Sequence, residues 1–330
     1  MSNSSPLRSL LGKLLLACVA TCSAGAQAQA PYPSKPIRLV VPFPAGGAVD
    51  NFARTIQPEL SVQLGQPVII INKPGGGSQI AAADILSSPA DGYTVFVAQI
   101  GDYTVNPVLY KSSNYLPPRD FDGVTMAVRA PQVMLANATN TKVNSLKTLK
   151  DTMAQRGANL LYSSFGAGTA PHLLGHILGR NAAAQLTHVP YKGFPPAMQA
   201  LLTNEVDLLF DAVPGAVNMM RGGKVVPLAV ADTQRNSHLP NVPTTAEIGL
   251  PGLVMDFWIG MAVKKGTPRT IVNRLNEAFD KAVGNPDNLK RFTDLGYARV
   301  SMTPEQFDTV VRTELEKMKP LIAETGVVVD

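Results

Sequence analysis

The chain has 330 residues, of which 45% are hydrophobic and only 16% are charged. This composition excludes intrinsic disorder, because disordered chains are poor in apolar residues and rich in charge. The net charge is +5, but the basic residues form no run, and phosphate binding requires clustered Lys and Arg. A nucleic-acid partner is therefore not expected. The length allows two domains, since a single core usually stops growing near about 250–300 residues.

The first 30 residues have the pattern of a bacterial secretory signal peptide. Arg8 and Lys13 precede an apolar stretch, and a segment of small residues ends in Ala28-Gln29-Ala30, an A-x-A cleavage site. A membrane anchor would need about 20 apolar residues, and residues 21–29 are too polar to supply them. We therefore expect residues 1–30 to be cleaved and the mature protein to be periplasmic.

Both cysteines of the chain, Cys18 and Cys22, lie in this signal. A lipoprotein is the alternative, but neither cysteine lies in a typical lipidation context. The mature chain then has no thiol, which excludes a disulfide framework, a cysteine nucleophile, an iron–sulfur cluster and a thiolate metal site. No later stretch reaches about 18 uninterrupted apolar residues, so no further membrane-spanning segment is expected.

Short apolar runs alternate with helical patterns along the mature chain, which predicts an α/β fold. Strands are predicted at about 37–41, 67–71, 93–97, 159–163, 186–189, 206–210, 225–230 and 258–263. Apolar spacing predicts helices at about 49–64, 79–87, 145–155, 170–178, 195–202, 214–221, 268–283 and 304–324. Pro58 should kink or interrupt the first helix, because it cannot donate to the Arg54 carbonyl. Thr169 is predicted to cap the fourth helix, and Trp258 to lie in the core.

Two glycine-rich turns each follow a buried strand and precede a helix. Loop A is Pro44-Ala45-Gly46-Gly47, and loop B is Pro74-Gly75-Gly76-Gly77-Ser78. Glycine lets backbone N–H groups approach a ligand, and the N–H groups at a helix N-terminus attract anions. Ligands of open parallel sheets bind beyond the carboxyl ends of the strands. One such turn is more often only a tight turn, but the pair favours a site that grips a carboxylate.

Nucleotide and metal chemistry are not expected. The chain has no G-x-x-x-x-G-K-[ST] sequence, and residues 75–77 lack the G-x-G-x-x-G spacing, so we expect no cofactor. His172 and His176 are four residues apart and could share a metal, but a zinc peptidase needs Glu directly after the first histidine. Leu173 occupies that position. His172, off the apolar stripe of its helix, could face a cleft, and His176 is interpreted as a packed or surface residue.

A third glycine-rich turn, loop C, spans residues 163–169 (Ser-Ser-Phe-Gly-Ala-Gly-Thr). It lacks the G-x-S-x-G elbow of a serine hydrolase, so nucleophilic catalysis is poorly supported. We interpret its hydroxyl groups as neutral donors that face loops A and B. Asp211, at the end of a strand, could accept a hydrogen bond from a ligand or only cap the strand end. For Asp207, capping is the favoured interpretation.

Ordered segments along the mature chain match one known family as a group. They are 32–38, 41–47 with Asp50 and Arg54, Asn72 with 74–75, 90–94, 106–107 with 109–110, 119–121, 168–169 with 172–173, 188–193, 206–208 and 240–244. The chain resembles the tripartite tricarboxylate transporter substrate-binding proteins, also called Bug proteins. The resemblance runs from Tyr32 to the C-terminus.

The resemblance implies an α/β, two-lobed periplasmic binding protein fold (type II-like), in which each lobe is a βαβ-rich sheet flanked by helices. Lobe one would contain residues 31–130 and 255–330, and lobe two residues 131–254. It implies that backbone groups and ordered water at the two glycine loops hold a small carboxylate, which lobe two also contacts. The expected partners are the membrane permease subunits of a tripartite tricarboxylate-type transporter, and the protein is expected to be a monomer and not an enzyme.

The candidate ligand-binding residues come from both lobes. In lobe one they are Phe43, Ala45, Gly46, Gly47, Asp50, Gly75, Gly76, Gly77, Ser78 and Gln79. In lobe two they are Ser163, Ser164, Thr169, His172 and Asp211. The family's second loop usually reads Gly-Ala-Gly-Gly-Asn, which differs from residues 75–79 here, so the sequence leaves the identity of the carboxylate open. A sensor that feeds a signalling partner, and a carboxylate-processing enzyme, are the alternatives.

Overall fold

The computed structural model describes residues 32–327 and 329, and the elements below belong to the unit that begins at Lys35. The predicted signal peptide, with Cys18 and Cys22, lies outside the described residues. The strands are β1 (Ile37–Val41), β2 (Val68–Asn72), β3 (Thr94–Gln99), β4 (Phe121–Asn137), β5 (Asn159–Ser164), β6 (Gln185–Pro190), β7 (Leu208–Ala212), β8 (Val225–Val230), β9 (Asp256–Lys264) and β10 (Ala298–Arg299). The helices are α1 (Ala48–Leu64), α2 (Gln79–Ser87), α3 (Ile100–Thr104), α4 (Asn106–Leu109), α5 (Pro117–Asp120), α6 (Leu146–Ala154), α7 (Ala170–Ala182), α8 (Phe194–Leu202), α9 (Val213–Met220), α10 (Arg269–Gly284), α11 (Pro286–Asp294) and α12 (Pro304–Thr325).

The first βα units place loops A and B side by side. Strand β1 is parallel to β2, with Ile37 opposite Val68 and Val41 opposite Asn72, and it is also parallel to β3. Parallel neighbours end at the same edge of a sheet, so the turns after β1 and β2 emerge together. The two glycine loops therefore follow neighbouring strands of the sheet.

A long strand, β4, joins two groups of strands. Residues 121–131 pair antiparallel with β9, and residues further along β4 pair with β7 and β8. The main order of pairing is β2-β1-β3-β9-β4-β7-β5-β6. The register of β4 against β9 shifts twice, between Gly123 and Thr125 and between Met126 and Val128, and such bulges bend a strand. The predicted two-lobed α/β fold is confirmed, whereas β4 itself was not predicted.

The chain crosses between the two strand groups at two adjacent points. Pro131 in β4 lies opposite Asp256 at the start of β9. The Gln132 N–H donates to the Met255 carbonyl at 3.3 Å, so the two crossings are hydrogen-bonded to each other. The side chain of Arg129 pairs here with Asp232 and Asp256, both at 2.9 Å.

Apolar clusters cover both faces of the strands. In one of them the ring of Trp258 lies 5.5 Å from that of Tyr103, and Trp258 is 2% exposed, which confirms its predicted core position. Another cluster joins the buried face of α7 to residues from α4 and from the end of α12, among them Leu109 and Leu321. None of the helices in the described part of the chain has both the length and the apolar character needed to cross a membrane.

Two local predictions are wrong. Pro58 does not interrupt α1, because the proline ring is on the exposed side while Phe52, Ile56 and Leu60 stay buried against the sheet; that it kinks the helix stays a prediction. Thr169 precedes α7 but does not cap it with its side chain. Its hydroxyl instead donates to the Gly166 carbonyl at 2.7 Å, inside loop C.

Candidate functional site

The buried carboxylate of Asp50 fixes loop A through hydrogen bonds. The Asp50 side chain is 0% exposed and accepts hydrogen bonds from the Gly46 N–H, Arg54 Nε and Asn72 Nδ2, each at 2.8 Å. Burial raises the pKa of Asp50, but these hydrogen bonds outweigh it and keep the pKa below its ordinary value. Asn72 also donates to the Phe43 carbonyl at 3.0 Å, which ties loop A to the end of β2. Asp50 and Asn72 therefore fix the position of loop A.

The N-terminal turn of α1 presents backbone donors at loop A. Ala45, Gly46 and Ala48 are exposed, and no side chain caps the helix after Gly47. The first N–H groups of a helix have no partner inside it and carry the positive end of its dipole. Gly47 has φ −72°, which any residue can adopt. A glycine is useful at this position because the absent side chain leaves space for a ligand.

Loop B has an unusual backbone. Gly75, Gly76 and Gly77 have φ of 118°, 56° and 56°, and Ser78 follows with φ 73°. Residues other than glycine rarely adopt a positive φ, so the backbone of Ser78 needs support from its surroundings. A Cβ added to Gly77 would lie 2.3 Å from Tyr110 Cε2, which shows how closely Tyr110 packs on the loop.

Asp102 supplies the support for Ser78. This carboxyl is 1% exposed and accepts hydrogen bonds from the Ser78 hydroxyl, the Gln99 N–H at 3.0 Å and Asn106 Nδ2 at 3.2 Å. Burial raises the pKa of Asp102 to about 6, and the hydrogen bonds oppose that rise. Sequence reasoning missed Asp102, because its role depends on the contact with Ser78, 24 positions earlier in the chain.

The hydroxyls of loop C have hydrogen-bond partners outside loops A and B. Ser163, 0% exposed, donates to the Ala197 carbonyl at 3.2 Å. The Ser164 hydroxyl donates to the Gly166 carbonyl at 3.0 Å and accepts the Gly166 N–H at 3.2 Å. Thr169 also donates to Gly166, as described above. This corrects the expectation that these hydroxyls face loops A and B: they hold loop C together, and its backbone is what it can offer to a ligand.

Two histidines stack beneath loop C. His172 is 3% exposed, and its Nδ1 accepts the Gly168 N–H at 3.0 Å, so it is buried rather than open to a cleft. Its ring lies 4.1 Å from that of His188, a residue that sequence reasoning did not single out. Burial, and for His172 the neighbouring His188 and His176, lowers the pKa of each ring to about 4. His176 is half-buried, 3.7 Å from Glu324, as expected for a packed or surface residue.

His188 Nε2 lies 2.6 Å from Ser164 Oγ, the spacing of a nucleophile and its base. The pair does not have the other properties of a catalytic site. Ser164 is 0% exposed and its hydroxyl is engaged by Gly166, while an imidazole with a pKa near 4 is a weak base at neutral pH.

The two aspartates near β7 differ in their partners. Asp207 accepts Asn140 Nδ2 at 3.1 Å and the Leu161 N–H at 2.9 Å, a structural role as interpreted from sequence. Asp211 Oδ1 accepts the Ala212 N–H at 2.9 Å, and its buried Oδ2 has no partner among the described residues. Burial raises the pKa of Asp211 to about 7.

Loops B and C both pack against α4 and the residues beside it. Loop B packs on Tyr110, just after this helix, and a Cβ at Gly168 of loop C would lie 2.2 Å from Leu109 Cδ2. Basic side chains beside loops A and B are already paired: Arg54 with Asp50, and Lys73 with Asp84 at 2.7 Å. The described residues contain no group of three His, Cys, Asp or Glu side chains that could hold a metal. Loops A and B therefore offer a ligand mainly backbone donors.

The chain is similar in sequence and in structure to several known proteins. The profile of the tripartite tricarboxylate transporter family receptor matches residues 52–327. A Pseudomonas sp. (strain P51) relative, the UPF0065 protein in the tcbD-tcbE intergenic region, is 35% identical over 96% of this chain and 94% of its own length. The solved Rhodopseudomonas palustris MatC with bound malate has a TM-score of 0.74 at 31% identity, over 88% of this chain and all of that one. An R. palustris protein solved with adipate has a TM-score of 0.79 at 30% identity, over 90% of this chain and 99% of that one.

Proteins of this family are solute-binding receptors and not enzymes. They are periplasmic, bind small carboxylates and work with tripartite transporters. The match spans most of the described chain, and it includes loops B and C together with the part of α1 from Phe52 onward. This chain belongs to the tripartite tricarboxylate transporter receptor family.

Proposed function

We propose that this protein is exported through the signal peptide 1–30, captures a small carboxylate between lobe one (31–130 and 255–330) and lobe two (131–254), and delivers it to the permease of a tripartite tricarboxylate-type transporter. The observation that carries this proposal is the meeting of loops A and B at the ends of β1 and β2, with an uncapped helix N-terminus beside them. Aligned N–H dipoles favour a carboxylate at such a point.

The ligand contacts follow from the same geometry. The backbone of Ala45, Gly47, Gly76 and Gly77 binds the carboxylate, directly or through water, with Phe43 and Gln79 at the edges of the loops. Asp50 and Ser78 act on the ligand through the loops that they hold. In lobe two, the backbone of loop C and the unpartnered Asp211 Oδ2 are the contact candidates, and His172 acts through loop C, whose Gly168 N–H it accepts.

Malate and adipate are the first compounds to test, because they are the carboxylates in the two solved relatives. A thermal-shift screen should include both, together with amino acids, tricarboxylates and aromatic acids. A ligand at 100 times its Kd stabilises the folded protein by about 2.7 kcal/mol, which is easily measured. The proposal is overturned if no carboxylate raises the melting temperature and none binds in calorimetry.

Delivery and export need separate experiments. Uptake of the identified carboxylate by cells should require both this protein and a tripartite permease, and deletion of either should abolish it. Uptake that persists without the permease would favour a sensor instead. Mass spectrometry of the periplasmic protein should find an N-terminus after Ala30, in the monomeric species expected from gel filtration.

A further inference from the structure

Three aromatic side chains form a stack beneath loop C. The imidazoles of His172 in α7 and His188 in β6 are nearly parallel, with ring centroids 4.1 Å apart and an interplanar angle of 22°. The ring of Tyr162 in β5 stacks on His188 at 5.1 Å, and the Tyr162 hydroxyl donates to the His172 carbonyl at 3.2 Å. The stack therefore links three elements of one lobe.

Each imidazole holds one glycine bend of loop C. His172 Nδ1 accepts the N–H of Gly168, which has φ 76°. His188 Nε2 contacts the Ser164 hydroxyl at 2.6 Å, and this hydroxyl bonds both the N–H and the carbonyl of Gly166, which has φ 128°. Both bends use backbone conformations that only glycine adopts readily, so their shape depends on these contacts.

We propose that His188 is a positioning residue which, together with His172, fixes the conformation of loop C against α4. The importance of this role for ligand affinity rests on the proposed function, in which loop C contacts the carboxylate. The role belongs to the neutral imidazoles. A protonated His172 Nδ1 could no longer accept the Gly168 N–H, and two stacked imidazolium rings would repel each other.

The charged groups around the stack would not stabilise an added proton on either imidazole. Helix α7 carries His176 and Arg180, and α12 contributes Glu324, which pairs with Arg180 and lies 3.7 Å from His176. The β7 residues in the same cluster, Leu208 and Phe210, are apolar. Among the described residues no carboxylate bonds either stacked ring. Acidification should therefore release loop C, in agreement with the lowered pKa of both imidazoles, about 4.

Hydrogen exchange measured by mass spectrometry tests the proposal without any ligand. The variants are His188→Phe, which keeps the aromatic stack but loses the bond to Ser164, Ser164→Ala, and the two combined. His238→Phe, on a loop away from the stack, is the control. At pH 7 we expect each single variant to speed exchange of the loop C peptide about tenfold, with no further gain in the double variant. Exchange of the loop B peptide should not change.

A pH series separates positioning from general destabilisation. After correction for the intrinsic exchange rate, loop C of the unmodified protein should open at least fivefold more as the pH falls from 6 to 4. The His172→Phe, His188→Phe double variant should show no such change. Loop C exchange that is unaffected by both His188→Phe and Ser164→Ala overturns the proposal, and so does exchange that rises equally in all peptides.

Calorimetry with malate and adipate then connects loop C to binding. We expect His188→Phe to weaken the affinity for whichever of the two binds by about tenfold, equivalent to about 1.4 kcal/mol. If loop C is released but neither compound binds the unmodified protein, the positioning role is supported and the proposed choice of ligands is wrong. If loop C keeps its protection in the variants, the positioning role is wrong whatever binds.

Discussion

The Ser78 hydroxyl donates a hydrogen bond to the buried carboxyl of Asp102, and through it the second glycine loop is attached to the short helix α3. Ser78 has φ 73°, in a loop where the three preceding residues are all glycines with positive φ. The bond offsets a backbone conformation that serine would otherwise avoid. Loop B thus depends on a side chain 24 positions further along the chain.

Removing this hydroxyl should destabilise the protein. Ser78→Ala leaves a buried carboxyl without one partner, and we expect a loss of about 1.5–3 kcal/mol in the free energy of unfolding. Ser78→Gly should lose about 1 kcal/mol less, because glycine adopts φ 73° without strain. Urea titrations of both variants measure this. Ser87→Ala, whose exposed hydroxyl bonds only the Asp84 carbonyl, is the matched control and should change stability by less than about 0.5 kcal/mol. Equal losses in Ser78→Ala and Ser87→Ala would contradict the argument.

The glycine loops should bind the carboxylate through their backbone rather than through a neighbouring cation. Gly76→Val should weaken binding by about a hundredfold or more, since a β-branched residue resists φ 56° and its methyl groups fill the space of the anion. At Gly47, where φ is −72°, valine acts only through the space it fills, with its Cβ 3.4 Å from the Pro44 carbonyl oxygen. Calorimetry with the best carboxylate from the screen gives both affinities.

Lys73→Ala is the matched comparison for these variants. Lys73 pairs with Asp84, which keeps a second partner in Arg38, so its loss should change the affinity by less than about threefold. If Lys73→Ala abolishes binding while Gly76→Val retains it, a side-chain ion pair holds the carboxylate and the backbone mechanism is wrong.

Much of the fold follows from local patterns. The predicted strand 37–41 coincides with β1, and the predicted helix 304–324 differs from α12 by one residue. Strand β4 was missed because Gly123 and Pro131 interrupt its apolar pattern, and because its two halves pair with different strands. The short helices α3 to α5 were missed because a helix of one turn depends on its tertiary contacts more than on its own sequence.

Some features of the candidate site could likewise be predicted from sequence, and others could not. Glycine loops A, B and C could be located from sequence, since a turn between a strand and a helix has a local signature. Asp102 and His188 could not, because their roles depend on contacts set by register: His188 lies opposite Tyr162 in parallel strands 26 positions apart. Nor could sequence show that the hydroxyls of Ser163 and Ser164 donate to the carbonyls of Ala197 and Gly166.

Asp211 should make stability depend on pH in a defined direction. Its pKa is about 7 in the folded protein and about 4 when unfolded, so between these values the folded state binds more protons. The free energy of unfolding contributed by Asp211 therefore falls as the pH rises from about 4 to 7 and stays low above that. Asp211→Asn removes this change. The variant should gain stability relative to the unmodified protein between pH 5 and pH 8 in urea titrations, and a constant difference would contradict the assignment.

Gly215 should not tolerate a side chain, because the Asp211 carboxyl occupies the space that the side chain would fill. A Cβ at Gly215 would lie 2.2 Å from Asp211 Oδ2, and neither residue can move away easily, because Asp211 lies in β7 and Gly215 in α9, which follows β7 directly. Gly215→Ala should cost about 1–3 kcal/mol, although alanine is otherwise favoured in a helix. Gly101→Ala, in α3 with no atom within 4 Å of the added Cβ, is the control and should be neutral or slightly stabilising. Asp211→Ala should restore much of the stability lost in Gly215→Ala if the clash is the cause.

Closure of the two lobes on a ligand should be a rotation about the paired crossings at Pro131–Gln132 and Met255–Asp256. These crossings are hydrogen-bonded to each other, and the apolar cluster that joins α4, α7 and α12 limits how far the lobes can separate. The change in radius of gyration from small-angle scattering should therefore be small, about 1 Å or less, but reproducible at saturating ligand. Arg129→Ala, which removes the ion pairs to Asp232 and Asp256 at the crossings, should enlarge the difference by freeing the ligand-free form. Scattering profiles that are identical with and without ligand, in both proteins, would exclude a closure of this kind.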